Sequence, residues 1–369
     1  MKTVKIGMVG VGAISGIYLK NITGLFKEIE LVAVCDLVKE RAEKAVEEYG
    51  IAKIYDTMDE MFKDEEIDII LNLTRPYEHY EVTSAALKAG KHVYSEKPLG
   101  ATLEEGEKLV ALAEEKGLML GGAPDTFMGA GIQTCRKLIE DGFIGDVIGC
   151  TCCMICHGHE TWHPDPEFYY QFGGGPMMDM GPYYITALVN LMGGIKSVSG
   201  ITKSNFEYRT ITSEPHFGKQ VKVEVPTHIL GMLNFDSGAT GSIITTFDVH
   251  YKGQARFEIY GTKGTLYVPD PNTFRGDVKL LRPENGEIMD IPLCFDYKEN
   301  SRALGLADMA KALSTNREFR ADYHQTLHVL EVLTSFKRSN DSGAFEEIKN
   351  KYTTPHMAMK NNAMHGVLD

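Results

Sequence analysis

The sequence predicts an α/β chain that opens with a doubly wound parallel sheet, and three observations carry that reading. Short apolar runs alternate with helical stretches as far as about residue 122, a glycine-rich turn follows the first run, and an acid closes the second. Strands and helices alternating at this spacing build a parallel sheet with right-handed crossovers.

Taken in order, 4-VKIGMVG-10 is an apolar strand ending on glycine and 30-ELVAVCD-36 a second ending on an acid, with a helical stretch of about 14 residues between them. The segments 67-IDIILNLT-74, 92-HVYSE-96 and 118-LMLGG-122 read as further strands. The helical patterns 78-EHYEVTSAALKAG-90 and 103-LEEGEKLVALAEEKG-117 separate them. At 369 residues the chain is long enough for two domains, each with a sizeable core.

Composition excludes several classes of partner. A net charge of −13 with no basic cluster argues against nucleic acid and anionic membrane surfaces, which both require Lys/Arg-rich faces. No apolar run is long enough to cross a bilayer, and MKTVKIGMVG has no signal-peptide core, so a cytoplasmic protein is expected. Seven cysteines without an export signal are expected to be reduced. Four of them fall in 150-CTCCMICHGHETWH-163 beside three histidines, but the spacing matches no structural zinc site, and alternating strand faces would part Cys152 from Cys153. No metal is expected there.

The turn 10-GVGAISG-16 lies between a strand and a helix, where a dinucleotide-binding fingerprint belongs. Gly10 makes the turn and Gly12 lets the backbone approach a pyrophosphate. Ala13 and Ile14 lead into a helix N-terminus that presents donors to it. Ser15 stands at the third glycine position and is small enough for close helix packing. Asp36 ends the second strand, where an acid accepts hydrogen bonds from ribose hydroxyls and repels a 2′-phosphate, so NAD(H) is favoured over NADP(H). In 94-YSEKPLG-100, Lys97 follows Glu96 at a strand end, and Pro98 restricts its backbone. Thr74, Arg75, Tyr77 and His79 follow another strand end. Thr74, Arg75 and His79 are candidate cofactor contacts, Tyr77 is a candidate substrate contact, and His79 also reads as a helix start.

In combination, GVGAIS, Asp36, 92-HVYSEKPLG-100, 173-GGGPMMDMGPYY-184, 302-RALGLADMAKAL-313 and 322-DYHQTLHVLEVL-333 resemble the glucose-fructose oxidoreductase / inositol dehydrogenase (Gfo/Idh/MocA) family over nearly the whole chain. The resemblance implies a Rossmann NAD-binding domain over 1–123. It also implies a substrate-binding α/β domain over 124–369, with a large, open, mostly antiparallel sheet and C-terminal helices that return to the first domain. The segments 221-VKVEVPTHILGMLNFDSGATGSIITTFDV-249 and 256-RFEIYGTKGTLYV-268 fit such a sheet through their own alternation and turns. Homo-oligomers that pair through the open sheet face are common in the family.

By position in the motifs, the resemblance makes Lys97 and Asp179 catalytic. Many members carry a histidine base four residues after the acid, and this chain has Tyr183 instead. If 177–190 is one helix, the i, i+4 spacing sets Asp179 and Tyr183 on one face. A tyrosine ordinarily titrates near pH 10, so the role of base requires nearby positive charge, which Lys97 and oxidised nicotinamide would supply. Asp179 can alternatively cap the helix that follows, and one of Tyr183 and Tyr184 is expected in the core.

His157, His159, Trp162 and His163 join aromatic faces to imidazoles, a pairing that suits the C–H faces and hydroxyls of sugars, and they are the candidate substrate wall. The expected activity is NAD-dependent oxidation of a sugar, sugar derivative or cyclitol. Two alternatives remain: a glycosidase or lyase that recycles NAD, and a non-catalytic NAD-sensing regulator.

Overall fold

The computed structural model describes residues 3–253, 256–284, 286–352, 358–359 and 368. The chain divides into two compact units. The first comprises Met1–Ala130, Cys294–Leu327 and His356–Asp369, and the second Gly131–Leu293 and His328–Pro355.

The first unit is built on six parallel strands: β1 (Val4–Val9), β2 (Ile29–Cys35), β3 (Lys53–Ile54), β4 (Ile69–Asn72), β5 (His92–Ser95) and β6 (Leu120–Gly122). They lie in the order β3-β2-β1-β4-β5-β6. The strand order reverses between β1 and β4, the position where open α/β sheets bind ligands at their carboxyl ends. Nearly every residue of β1, β2 and β4 is buried, as strands covered on both faces require.

Helices α1 (Ser15–Gly24), α2 (Lys39–Tyr49), α3 (Met58–Phe62), α4 (His79–Lys88) and α5 (Leu103–Lys116) connect these strands. Helix α5 starts on a capping box in which Thr102 and Glu105 each satisfy the other's backbone, and stops at left-handed Gly117. Helix α1 has 10 residues, shorter than its sequence pattern, because 11–14 form the turn that precedes it.

After α6 (Ala130–Glu140), the second unit contributes β7 (Val147–Ile155), the short helices α7 (Pro176–Asp179) and α8 (Gly181–Met192), and β8 (Ile195–Lys203). A two-stranded ribbon of β9 (Tyr208–Thr210) and β10 (Gln220–Lys222) follows. Next come β11 (His228–Phe235), β12 (Thr240–Thr246), β13 (Arg256–Gly261), β14 (Gly264–Tyr267), β15 (Val278–Leu281) and β16 (Ile288–Ile291). Helices α9 (Leu304–Thr315) and α10 (Tyr323–Ser342) precede β17 (Glu346–Glu347).

Nine strands form one sheet in the order β16-β15-β14-β13-β7-β12-β11-β8-β17, antiparallel except between β12 and β7. One face is covered. Tyr184 of α8 stacks on Phe257, and Phe336 of α10 occupies the space over Gly200 and Gly231. On the other face Leu230 stands opposite Ile201 in register, and both are exposed together with Met232. The cysteines of β7 obey the strand alternation: Cys150 and Cys152 point into the core and Cys153 does not. Burial pushes the Cys150 thiol up to about 12.

The single helix expected over 177–190 is corrected. Asp179 ends α7 and Tyr183 sits in the first turn of α8, with Met180 between the helices. Pro182 has no N–H to continue the ladder, and the Tyr183 amide donates three residues back, to the Met180 carbonyl at 3.1 Å.

Candidate functional site

In the first unit the glycine turn is shaped for close approach. Gly10 has φ of +96°, and a Cβ there would lie 2.8 Å from the Leu73 carbonyl group, so only glycine fits between β1 and the end of β4. A Cβ on Gly12 would meet nothing within 4 Å, so space is open beside the turn. Past Ala13 and Ile14, helix α1 begins with no side-chain cap and no acid in its first turn; the Ser15 amide donates to the Gly12 carbonyl at 3.1 Å, and the positive end of the helix favours an anion there. Asp36 holds the turn from the side, accepting from the Val11 amide at 2.6 Å and the Val38 amide at 2.7 Å. Lys39 is tied to Asp56 at 3.0 Å. An open turn, an uncapped helix start and an acid at the end of β2 together fit NAD.

The other first-unit candidates surround the ends of β4 and β5. Asn72 accepts from the amide and hydroxyl of Thr74, at 3.1 and 2.7 Å. The buried His79 opens α4, and its ring links two loops, with Nδ1 2.7 Å from the Pro98 carbonyl and Nε2 3.0 Å from that of Thr74. Burial lowers its pKa. Arg75 donates to the Tyr77 hydroxyl at 2.8 Å on the exposed side of that loop. Glu96 is buried, and its carboxylate accepts from Tyr18 Oη at 2.8 Å and from the Lys97 amide at 3.0 Å. Glu96 therefore fixes the backbone that carries the Lys97 side chain.

In the second unit the structure brings Asp179 to His159, with Asp179 Oδ2 3.2 Å from His159 Nε2 and both side chains largely buried. The N-cap position of α8 is Met180, one residue after Asp179. Around His159 the rings of Tyr169, Phe247 and Trp162 lie at centroid distances of 4.2, 4.7 and 5.2 Å. His163 meets Trp162 at 5.4 Å and Tyr169 at 5.3 Å, and burial lowers its pKa. Three of the four proposed wall residues thus form one aromatic cluster. His157 stands elsewhere, stacked 3.5 Å from His250 and edge-on to Phe206. Tyr183 and Tyr184 are both buried in the core, and Tyr184 stacks on Phe257.

Several residues that sequence reasoning missed build this site. Tyr169 and Phe247 pack directly on His159. The density of aromatics in 168-FYY-170, just before the glycines, was the available signal for Tyr169. Phe247 offered none, since it arrives from the end of β12.

Beneath the cluster the Arg209 side chain is 4% exposed. Its Nε donates to Glu160, Nη1 to Asp248 at 3.2 Å, and Nη2 to the carbonyls of His157 at 2.6 Å and Phe247 at 3.1 Å. Tyr170 Oη donates to Glu160 at 2.6 Å. This network anchors the segment from which His159 projects. Among the described residues no group of three or more His, Cys, Asp or Glu side chains is arranged to hold a metal, and no helix is long and apolar enough to cross a membrane.

Residues 4–122 match the model of an oxidoreductase family with an NAD-binding Rossmann fold, and residues 132–267 match the GFO/IDH/MocA C-terminal domain. Myo-inositol 2-dehydrogenase of Thermotoga maritima is 25% identical over 285 residues, covering 77% of this chain and 79% of its own. D-glucoside 3-dehydrogenase of Escherichia coli is 25% identical over 351 residues, covering 93% and 97%. A solved levoglucosan dehydrogenase, in complex with NADH and L-sorbose, superposes with a TM-score of 0.81 at 19% identity over 95% of this chain and all of its own.

Proposed function

Because this chain belongs to the GFO/IDH/MocA family of oxidoreductases and has its NAD-binding Rossmann domain, we propose that it moves hydride between a hydroxyl-bearing carbon of a sugar, sugar derivative or cyclitol and nicotinamide. Curated relatives act on inositol and on glucosides. The observation that carries the reading in this chain is the Asp179–His159 pair set in a ring of aromatic side chains. A carboxylate and an imidazole bond hydroxyls, and aromatic faces accept the C–H faces of a sugar ring.

Bound NAD supplies the hydride acceptor. Gly10, Gly12, Ala13, Ile14 and Asp36 would hold its adenosine diphosphate half, and Thr74, Arg75, Glu96 and Lys97 its nicotinamide side, with the buried His79 positioning the loops of Thr74 and Pro98. Lys97 orients the reacting hydroxyl, and Asp179 holds a neighbouring one. The hydroxyl proton passes to Tyr183 as the hydride leaves carbon, which yields the carbonyl. In the reverse direction Tyr183 returns the proton. A second reading gives the proton to His159, and its bond to Asp179 favours it, since a carboxylate fixes the orientation of an imidazole.

The reading extends to a homo-oligomer in the cytoplasm. The exposed Ile201, Leu230 and Met232 on the open sheet face support self-association, and cysteines that are not joined in disulfides suit a reducing compartment. Absorbance of NADH, followed over a panel of inositols, hexoses and glucosides with NAD supplied, tests the activity. NADH is expected with at least one of them. A panel with no NADH from any member, on protein shown to bind NAD, removes the proposal.

A further inference from the structure

We propose that Trp162 is the platform of a second sugar-ring subsite, so that the preferred substrate is a glycoside carrying a further pyranose ring rather than a free monosaccharide. The proposal rests on the sugar-hydroxyl reading above. Trp162 is 61% exposed, although it directly adjoins the proposed hydroxyl-binding pair. Its two ring neighbours meet it edge-on, His159 at an interplanar angle of 67° and His163 at 75°, so neither stacks over the indole face. That face is where a pyranose presents its C–H surface.

His159 stands between the two groups in contact: its Nε2 is 3.2 Å from Asp179, and its ring centroid is 5.2 Å from that of the indole. A ring whose hydroxyl is held by Asp179 fills the place beside His159, and the next ring of a glycoside reaches Trp162.

The platform is also held in place. The amides of Trp162 and His163 donate to the His159 carbonyl at 3.3 and 3.0 Å, and Ser213 Oγ donates to the His163 carbonyl at 2.5 Å. The Glu160 carbonyl accepts the amides of Thr212 and Ser213 at 2.9 Å, and the Glu160 side chain is locked to Arg209. A large aromatic fixed in an exposed position, continuous with polar hydroxyl-binding groups, has the chemistry of a saccharide platform.

Trp162 is the only tryptophan in the chain, so its fluorescence reports on this site alone. The protein is titrated with cellobiose and maltose, and in parallel with methyl α- and β-glucoside. The disaccharides are expected to shift or quench the emission and the methyl glucosides to leave it nearly unchanged. In steady-state assays with NAD, Trp162→Ala is expected to raise KM for a disaccharide by about five- to tenfold, clearly more than it raises KM for methyl glucoside. Trp162→Phe restores most of the loss. Equal effects of Trp162→Ala on both sugars, or no emission change with either disaccharide, overturn the subsite while oxidation of the small sugars still upholds the activity. No NADH from any sugar or inositol overturns both.

Discussion

His159 Nε2 lies 3.2 Å from Asp179 Oδ2, joining side chains twenty positions apart in the sequence. Asp179 ends α7, while His159 is on the segment after β7, so the contact depends on the fold of the whole second unit. It makes His159 the natural positioning residue for Asp179, with Tyr183 the proposed proton acceptor.

These roles separate kinetically. Tyr183→Phe is expected to lower kcat by about a hundredfold or more while NAD affinity is unchanged. His159→Gln keeps a polar group beside Asp179 and is expected mainly to raise KM, with kcat falling less than tenfold or so. Steady-state kinetics across pH decide the matter. If His159→Gln instead abolishes turnover and removes the acidic limb of kcat/KM while Tyr183→Phe stays active, His159 is the base.

The two glycines of the nucleotide turn should fail in different ways. A Cβ on Gly10 collides with the backbone of Leu73 and Thr74 at 2.8 to 3.0 Å and is strained at φ of +96°, so Gly10→Ala is expected to destabilise by about 1–3 kcal/mol as well as to weaken NAD. A Cβ on Gly12 meets no protein atom within 4 Å. Gly12→Ala should therefore unfold at nearly the parent temperature yet bind NAD at least about tenfold more weakly. Thermal unfolding and NAD titration on both variants test this, and unaltered NAD binding by Gly12→Ala would show that the open space is not the pyrophosphate site.

The parallel sheet was legible because β1, β2, β4, β5 and β6 are apolar runs bounded by clear helix signals. The intervening α2 and β3 were not. Of α2, KERAEKAVEEY, only Ala42 and Ala45 are buried, too little to leave an apolar stripe, and β3 is two residues long. In the site, the motif order marked Asp179, Tyr183 and Lys97, and aromatic density marked Trp162 and His163. The pairing of His159 with Asp179 was hidden, since it joins a loop to a helix end. So was the Arg209 network, in which Arg209 gathers Glu160, Asp248 and two backbone carbonyls from two distant stretches of chain, 157–160 and 247–248.

Breaking that network should destabilise the second unit. Arg209→Met leaves the buried Glu160 and Asp248 carboxylates without their cation, at a cost of about 3–5 kcal/mol. Adding Glu160→Gln to Arg209→Met should recover part of the loss, because one uncompensated charge is then removed. Chemical denaturation of the single and double variants measures both effects, and additive losses would exclude the coupling.

Asp125 provides the last prediction, in the first unit. It is 1% exposed, its Oδ2 accepts the Gly305 amide at 3.0 Å, and its Oδ1 has no partner among the described residues. Burial, with a smaller contribution from Glu96, pushes this carboxyl up to about 6. A raised carboxyl binds its proton more tightly in the folded chain than in the unfolded one. Its favourable contribution is therefore complete below the ordinary aspartate value near 4 and is lost as pH rises through about 6. Asp125→Asn keeps an oxygen for the Gly305 amide and removes the buried charge. It should match the parent near pH 4 and exceed it near pH 8, by up to about 3 kcal/mol. Unfolding temperatures of both proteins across that range supply the measurement, and a variant less stable than its parent at pH 8 would mean that the ionised carboxylate has a favourable partner there.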